Sequence, residues 1–436
     1  MMSSLSAANK NERYRLLKLT IIFAIVSVCI SILISVAAGE FIVRHINPQP
    51  TFAETLKEGL SIFRSSQVAP FTLSPNLNTV HLGYTREFKN IVHTNNAGFR
   101  DTENVSESKP VGIYRILILG DSMTFGWGVE DGETFSAVLE RNLNIFSKTT
   151  NQNIKFEVAN GGFLGGYGPD GFYAYYNSFG KKFQPDMVIT SLFPYNDFSD
   201  MANTDWVETD KDGMPTVVRL PDTVIKYGRL AKSRPTEWKF AIPGLRNSHL
   251  AILLMTALEK YSPTAVDRLK KILNIDTSVP KVTQEKSKDC VDEDKCNEIL
   301  LESKRKLKFV FGGMNRAVDK SGNKLLVLIM PDPQEVSRYS GLTGEKKEVK
   351  LASAVPQKEF RDFFEQEKIR YLDVLSVLSD KKTERYFYER DGHFNARGHG
   401  RVAEALFEYL IGNKLLGIET KNQQIQDLKI QGILKF

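Results

Sequence analysis

The sequence predicts an α/β fold in three layers, in which helices cover both faces of a parallel sheet, with a large insertion and an N-terminal transmembrane helix. Three observations support this prediction. Short apolar runs alternate along the chain with segments whose apolar residues have helical spacing, as in parallel sheets. The stretch from Ser199 to Asn323 is much longer than an ordinary connection between two strands. The segment from Leu19 to Gly39 contains no charged side chain.

The segment from Leu19 to Gly39 has the length and composition of a membrane-spanning helix, since about 20 apolar residues cross the hydrocarbon core. Four basic residues precede it: Lys10, Arg13, Arg15 and Lys18. This excess of positive charge predicts that residues 1–18 are cytoplasmic and that the rest of the chain is periplasmic or at the cell surface. A cleaved signal peptide is the alternative, because Ala37-Ala38-Gly39 is a tolerable cleavage site. Its apolar region would be shorter, roughly 7–15 residues, so we favour a retained anchor.

After this helix we expect a stalk at residues 40–110, the α/β domain at 111–412 with its insertion at about 199–323, and a C-terminal tail at 413–436. Cys290 and Cys296 lie in a charged part of the insertion. In an oxidising compartment they predict a small-loop disulfide, with two free thiols as the alternative. Two thiols without a nearby histidine do not favour a metal site. The net charge of +6 is spread along the chain, which gives nucleic-acid binding little support.

Five apolar runs are the predicted strands of the sheet. In chain order they are Tyr114–Leu119, Ile154–Ala159, Met187–Phe193, Leu325–Met330 and Ile369–Val374. Short runs of this kind are typical of parallel strands that are buried on both faces. Apolar residues at helical spacing predict helices near Phe135–Leu143, Pro169–Phe179, Ser303–Lys320 and Ala396–Ile411.

Polar or glycine-rich turns follow the first three predicted strands directly. Ser122 lies in the turn after the first strand, glycines from Gly161 to Gly168 follow the second, and Asn196 follows the third. Since ligands bind beyond the carboxyl ends of parallel strands, we expect these turns to meet at one edge of the sheet. Taken singly, each has an ordinary alternative. Asp121 or Ser122 could simply be a helix N-cap, and the glycines a flexible turn.

A serine nucleophile needs a base, and the chain has six histidines. His393 and His399 lie between the last predicted strand and the closing helix or within that helix. His393 has Asp391 two residues away, close enough to fix the tautomer of the imidazole in a tight turn. His399 falls within the helical pattern, so we expect it to pack or to cap.

Together the four segments resemble the four conserved blocks of the SGNH (GDS-motif) hydrolase superfamily, in the expected order from Tyr114 to Ile411. The resemblance implies a flavodoxin-like three-layer fold, with Ser122 as nucleophile and an Asp391–His393 pair as base. It also implies an oxyanion hole formed by the Ser122 backbone, a glycine and Asn196. The adjacent Gly165 and Gly166 stand where one glycine is usual, which leaves open the residue that donates. Only Gly392 separates Asp391 from His393, whereas two residues are usual.

The anchored layout with a long insertion looks like family members that act on cell-surface polysaccharides, including O-acetyltransferase-like relatives. We therefore expect a serine hydrolase or acyltransferase for acyl esters, with water or a sugar hydroxyl as acceptor and no cofactor. Trp127 and Tyr167, beside the turns, are the expected substrate contacts. A lipid or small-ester esterase, or a catalytically silent subunit of a surface-polymer system, remains the alternative function.

Overall fold

The computed structural model describes residues 2–418, apart from 50, 56–60, 83, 84, 86, 165, 222, 227, 233–237, 274, 276–297, 341–356 and 381–384, together with 428, 429 and 432–436. The chain divides into two compact units. We call the unit of Met1–Glu58 and Lys232–Val279 the anchor unit, after the predicted anchor, and the unit of Gly59–Ala231 and Pro280–Phe436 the sheet unit. The predicted Cys290–Cys296 disulfide lies outside the described residues and stays a prediction.

Strands and helices are numbered along the chain. The strands are β1 (Phe63–Arg64), β2 (Thr72–Leu73), β3 (Leu77–Leu82), β4 (Lys89–Thr94), β5 (Ile113–Gly120), β6 (Lys155–Gly162), β7 (Met187–Leu192), β8 (Asp205–Thr209), β9 (Pro215–Arg219), β10 (Thr223–Lys226), β11 (Arg229–Lys232), β12 (Lys324–Ile329) and β13 (Tyr371–Asp373). The helices are α1 (Met2–Ile46), α2 (Phe52–Thr55), α3 (Ser122–Phe125), α4 (Phe135–Thr149), α5 (Pro169–Ser178), α6 (Pro194–Asn203), α7 (His249–Tyr261), α8 (Pro263–Ile272), α9 (Glu298–Lys320), α10 (Pro333–Tyr339), α11 (Gln357–Gln366), α12 (Leu375–Leu378) and α13 (Ala396–Gly412).

The sheet unit is built on five parallel strands in the order β13-β12-β7-β5-β6. This is the flavodoxin-like order, so the predicted α/β fold is confirmed. The order reverses between β5 and β7, and the crevice at such a switch point is where open α/β sheets bind ligands. The turns after these two strands contain Ser122 and Asn196, so the topology brings both to one crevice.

Helices cover both faces of this sheet, as the alternation of side chains along β5 shows. Leu117 and Leu119 point into one apolar cluster, which α5 and α9 complete. Ile116 and Ile118 point into the other, which α4 and α13 complete. All four side chains are at most 1% exposed. Burial on both faces explains why these strands are apolar throughout rather than alternating.

Polar side chains of α4 complete the hydrogen bonding of the edge strand β6. The Asn144 side chain accepts the backbone N–H of Phe156 at 2.9 Å, and the Glu140 carboxylate accepts that of Val158 at 2.6 Å. An uncovered edge would leave such donors open to pairing with another chain. The α4 side chains therefore hold β6 in place, and the glycine-rich turn follows β6 from Phe163.

The predicted insertion at 199–323 is divided between the two units rather than forming one cap. Its first part makes the β8–β9 hairpin of the sheet unit. Residues 232–279 instead group with the N-terminal helix. In the predicted stalk, residues 59–110 belong to the sheet unit and form the β1–β2 and β3–β4 pairs.

In the anchor unit, the part of α1 at Arg15–Ile46 is long and apolar enough to cross a membrane. It is the one such helical segment among the described residues. Its side chains are largely exposed within the unit. Near its end, the Glu40 carboxylate accepts hydrogen bonds from Ser248 Oγ at 2.7 Å and from the Leu250 backbone N–H at 2.9 Å. Ser248 is the N-cap of α7, so Glu40 fixes the start of α7 against α1.

Candidate active site

In the turn after β5, the helix α3 is capped by Asp121 and not by Ser122, so the Ser122 hydroxyl is available for other contacts. Asp121 is the N-cap of α3, and its carboxylate accepts the Met123 backbone N–H at 2.9 Å. Ser122 is the first residue of α3 and has no capping role. Gly120 is required by its surroundings, because a Cβ there would lie 2.1 Å from Ser191 Oγ and from Thr124 Oγ1. The sequence therefore holds Ser122 at the mouth of the sheet.

Three predicted side chains form a continuous hydrogen-bonded series. Ser122 Oγ lies 2.7 Å from His393 Nε2, and His393 Nδ1 lies 2.6 Å from Asp391 Oδ1. Gly392, between the base and the carboxylate, has a φ of +84°, which lets so short a turn close. Such a series can activate a serine hydroxyl, because the imidazole accepts its proton while the carboxylate orients the ring.

The Asp391 carboxylate is ionised in this setting. Burial alone would raise the pKa of Asp391, but the hydrogen bond and the charge of His393 lower the pKa below its usual value. The side chain of Asp391 is 8% exposed, and that of His393 is 26% exposed. The His393 imidazole is therefore open to solvent, while the Asp391 carboxylate is shielded.

The loop that carries this pair is held by Trp127 and by two residues that the sequence did not point out, Glu87 and Tyr388. The Glu87 carboxylate accepts the Asp391 backbone N–H at 2.8 Å. Tyr388 donates its hydroxyl to the Gly128 carbonyl at 2.8 Å, and Trp127 donates Nε1–H to Asp391 Oδ2 at 3.3 Å. The contacts of Tyr388 and Trp127 join the His393 loop to the segment that follows Ser122.

Trp127 and Tyr167 do not have the positions expected of substrate contacts. Trp127 is half-buried and supports the base, with its ring 5.7 Å from that of His393. Tyr167 is fully buried, and its hydroxyl donates to the Phe71 carbonyl at 2.9 Å. The expectation that Tyr167 contacts substrate is therefore wrong, because an aromatic residue beside a glycine turn packs into the core equally well.

Asn196 lies at the crevice, as expected, with its amide close to two carboxylates. Asn196 Nδ2 is 3.1 Å from Asp200 Oδ2 and 3.5 Å from Asp121 Oδ2. Gly166 lines the same crevice with a φ of +87°. Gly165 lies outside the described residues, so the choice between the two glycines as oxyanion donor stays open.

Asp200 is a site residue that the sequence analysis missed. Burial, and then the charges of Asp121 and Asp170, raise the pKa of Asp200 to about 7, while the Gly166 backbone N–H works in the opposite direction. The carboxyl group is therefore close to half ionised at neutral pH. One acidic residue at the start of the predicted insertion gives no indication of this, since its pKa depends on two carboxylates that are remote in sequence.

Arg100 is a second residue that the sequence did not indicate. It is 3% exposed and donates to the Phe125 carbonyl at 2.8 Å and to Asp131 at 3.0 Å. It also donates to the carbonyls of Gly126 and Val129. Arg100 therefore braces the turn that follows the nucleophile. His399 packs as expected, with Nδ1 accepting the Phe135 backbone N–H at 3.2 Å.

The assembled residues line a cleft of about 660 Å³. Ser122 and His393 lie in it with Asn196, and Asp332 and Gln334 contribute further polar groups. A volume of this size is within the range of small-molecule sites. The cleft can hold an acyl ester with part of a larger alcohol.

A family model described as "SGNH hydrolase-like domain, acetyltransferase AlgX" matches residues 302–432. The matched segment contains Asp391 and His393. The match confirms the predicted resemblance to the SGNH hydrolases over this part of the chain, and the matched description is that of an acetyltransferase. A comparison with curated protein sequences gave no match.

Three esterases are among the solved structures that are similar to this chain. The acetyl xylan esterase AlAXEase is 11% identical with a TM-score of 0.33, covering 68% of this chain and 100% of its own. A variant of an acetyl-xylooligosaccharide esterase from Geobacillus Stearmophilus is 10% identical with a TM-score of 0.33, covering 70% and 95%. A two-domain esterase active on acetylated mannans is 12% identical with a TM-score of 0.34, covering 71% and 51%. Similarities this distant leave the activity of the chain open.

Proposed function

We propose that this chain is a membrane-anchored serine esterase or O-acyltransferase that acts outside the cytoplasm on acyl esters, with O-acetyl groups of a cell-surface carbohydrate as substrate. The observation that carries this proposal is the series from Ser122 through His393 to Asp391, with separations of 2.7 and 2.6 Å. A serine, a histidine and a carboxylate in this order are the parts that ester cleavage through an acyl-enzyme requires.

In this mechanism Ser122 Oγ attacks the ester carbonyl carbon while His393 Nε2 takes the hydroxyl proton. The tetrahedral intermediate collapses to an acyl-Ser122 ester, and His393 returns the proton to the departing alkoxide. Asp391 stabilises the imidazolium that exists between these steps. Water or a sugar hydroxyl then attacks the acyl-enzyme, again with His393 as base. Backbone N–H groups of Ser122 and of one glycine, together with Asn196, would stabilise the oxyanion.

The family description and the cleft support the substrate part of this proposal. The family model carries the description of an acetyltransferase. The cleft is lined by the exposed Gln334, whose side chain can hydrogen-bond to hydroxyl groups. The apolar helix Arg15–Ile46 supports the anchor, and the basic residues before Leu19 support export of the sheet unit.

Labelling with a fluorophosphonate probe tests the nucleophile. The full chain in detergent should be labelled, Ser122→Ala should not, and hydrolysis of p-nitrophenyl acetate should fall by several orders of magnitude in that variant. Ser321→Ala is the matched control, because Ser321 is exposed just before β12 and therefore near the opposite edge of the sheet. Equal labelling of wild type and Ser122→Ala would reject the mechanism.

The acceptor and the substrate class need a separate measurement. Acetyl release from O-acetylated oligosaccharides is compared with release from acetylated glycerolipids, with and without an added unacetylated oligosaccharide. Faster cleavage of the oligosaccharide supports a carbohydrate substrate, and acetyl transfer to the added sugar identifies a transferase. Cleavage of the lipid alone would reject the carbohydrate part of the proposal while leaving the nucleophile intact.

A further inference from the structure

The helix α7 in the anchor unit has two apolar faces. Ile252 and Met255 are buried, and Met255 forms a small cluster with Trp238 and Val266. Leu254 and Tyr261 are 59% and 78% exposed. Because successive residues of a helix turn by about 100°, Leu254 and Tyr261 share the side opposite Ile252. A helix packed on one side normally presents polar residues on the other, so this outward apolar stripe needs a partner.

The next helix, α8, continues the exposed apolar surface and adds positive charge. Ile272 and Leu273, at its end, are 77% and 50% exposed. Exposed basic residues lie at the end of α7 and along α8: Lys260, Arg268 and Lys271. We call the apolar residues Leu254, Tyr261, Ile272 and Leu273, with these three basic residues, the α7–α8 surface. Apolar side chains with flanking Lys and Arg are typical of helices that lie in a membrane interface.

Contacts within the anchor unit determine the point along α1 at which α7 begins. Leu250 lies against Gly39, such that a Cβ at position 39 would be 2.9 Å from Leu250 Cδ2. Gly39 is the last residue of the charge-free segment, and Glu40 binds the first turn of α7. The start of α7 is therefore held where the apolar part of α1 gives way to polar residues. In a membrane-spanning helix that level is the boundary between hydrocarbon and headgroups.

We infer that the α7–α8 surface is a second membrane contact, which lies in the headgroup region of the leaflet from which α1 emerges. This inference rests on the membrane anchor of the proposed function. A lipid surface is the occupant that the observations favour, because the surface continues directly from the end of the anchor. Its flanking cations match anionic headgroups, which attract Lys and Arg near the bilayer.

Depth-dependent quenching tests this inference in the full chain. Cys29, Cys290 and Cys296 are replaced by serine, and single cysteines are introduced by Leu254→Cys, Tyr261→Cys or Ile272→Cys. Each variant is labelled with a polarity-sensitive fluorophore and reconstituted into phosphatidylcholine–phosphatidylglycerol vesicles that contain a nitroxide phospholipid. Thr256→Cys is the matched control, since Thr256 is exposed and lies about 200° around α7 from Leu254.

The expected result is at least twofold stronger quenching at positions 254, 261 and 272 than at position 256. Equal quenching at 254 and 256 overturns the inference. Phe23→Cys, within α1, separates this failure from that of the anchor itself. Strong quenching at 23 without quenching at 254 rejects the α7–α8 surface alone, whereas no quenching at 23 rejects the anchor and the surface together. Fluorophosphonate labelling of the same vesicles reports the proposed activity independently.

Charge reversal provides a second measurement on the same surface. With Lys260→Glu, Arg268→Glu and Lys271→Glu combined, quenching at position 254 should no longer increase when phosphatidylglycerol replaces part of the phosphatidylcholine. The variant with the native cations should show that increase. No dependence on anionic lipid in either protein would overturn the electrostatic part of the inference.

Discussion

Asp200 should control how the activity of this protein depends on pH. The Asn196 amide that we expect to bind the oxyanion is 3.1 Å from the Asp200 carboxyl. An oxyanion bound to the same amide would lie about 2.9 Å from Asn196 Nδ2, so it would be at most about 6 Å from the Asp200 oxygen. A negative charge on Asp200 would therefore oppose the charge that develops in the transition state.

The size of this effect follows from Coulomb's law. At about 6 Å and an effective dielectric constant of about 20, two unit charges interact by about 3 kcal/mol, which is about a 100-fold change in rate. Solvent in the open cleft reduces this value, so we expect a change of about 10- to 100-fold. Since burial and two neighbouring carboxylates raise the pKa of Asp200 to about 7, the charge appears as the pH rises through that value.

The assay is kcat/KM for an activated acetyl ester between pH 5 and pH 9.5, with the rate of Ser122→Ala subtracted at each pH. On the alkaline side, the activity of the wild type should fall about 10- to 100-fold as Asp200 ionises. Asp200→Asn keeps an oxygen that can accept from Asn196 and carries no charge, so its alkaline limb should be absent.

Two results would refute this reasoning. If wild type and Asp200→Asn share the same alkaline limb, the charge that suppresses activity is elsewhere. If Asp200→Asn is inactive at every pH while remaining folded, the ionised carboxylate is required rather than harmful. Asp200→Ala serves as the control for orientation, because it removes both the charge and the hydrogen-bond partner of Asn196.

Three further predictions concern the base, the nucleophile turn and the edge of the sheet. Asp391→Asn should lower kcat about 10⁴-fold, because the amide favours the wrong tautomer of His393, while Trp127→Phe should cost less than about 10-fold; equal losses would argue against the role of Asp391. Arg100→Lys should lower the free energy of unfolding in urea by about 2–4 kcal/mol, since buried carbonyls lose donors, and an unchanged value would contradict the bracing role. Burial raises the pKa of Glu140 to about 7, so its contribution to stability is complete below about pH 4.5 and is lost as the pH rises through about 7. Glu140→Gln should remove that dependence, worth at most about 3 kcal/mol, from thermal melts at pH 5 and pH 8, and an identical dependence in both proteins would show that another group is responsible.

The sequence was sufficient for the sheet because each strand is a local feature. The runs predicted at Tyr114–Leu119 and Leu325–Met330 are β5 and β12, with ends that differ by one residue. Burial on both faces demands apolar residues, and a short apolar run between polar turns is readable without its neighbours. The chain order of the turns then placed Ser122 and Asn196 at one crevice, since the carboxyl ends of parallel strands share an edge.

Residues that act through remote contacts could not be predicted in this way. Arg100 lies in a polar stretch that resembles a surface turn, and only the structure brings its guanidinium to the carbonyls after Phe125. Glu87 is a single acidic residue whose partner is a backbone N–H at position 391. Tyr167 was expected to contact substrate because it is close in sequence to the glycine-rich turn, yet its ring is fully buried. Proximity in sequence to a turn does not determine on which side of the chain a ring lies. The division of the insertion between two units likewise depends on contacts across about 200 positions.

Three carboxyl groups near the crevice, those of Asp121, Asp197 and Asp200, orient the turns around it and have raised pKa values. Asp121 caps α3, and Asp197 accepts the Phe193 backbone N–H at 2.8 Å, so each fixes one of the turns at the switch point. Asn196 lies between Asp121 and Asp200 and links these turns. Burial raises the pKa of Asp121, and burial together with Asp121 raises that of Asp197 well above its usual range. Several negative charges so close together are disfavoured in a buried region, which is why these pKa values are raised. The hydrogen bonds of Asp121 and Asp197 thus hold the turns that carry the expected oxyanion donors, while burial and mutual repulsion oppose the full negative charge that would destabilise an oxyanion.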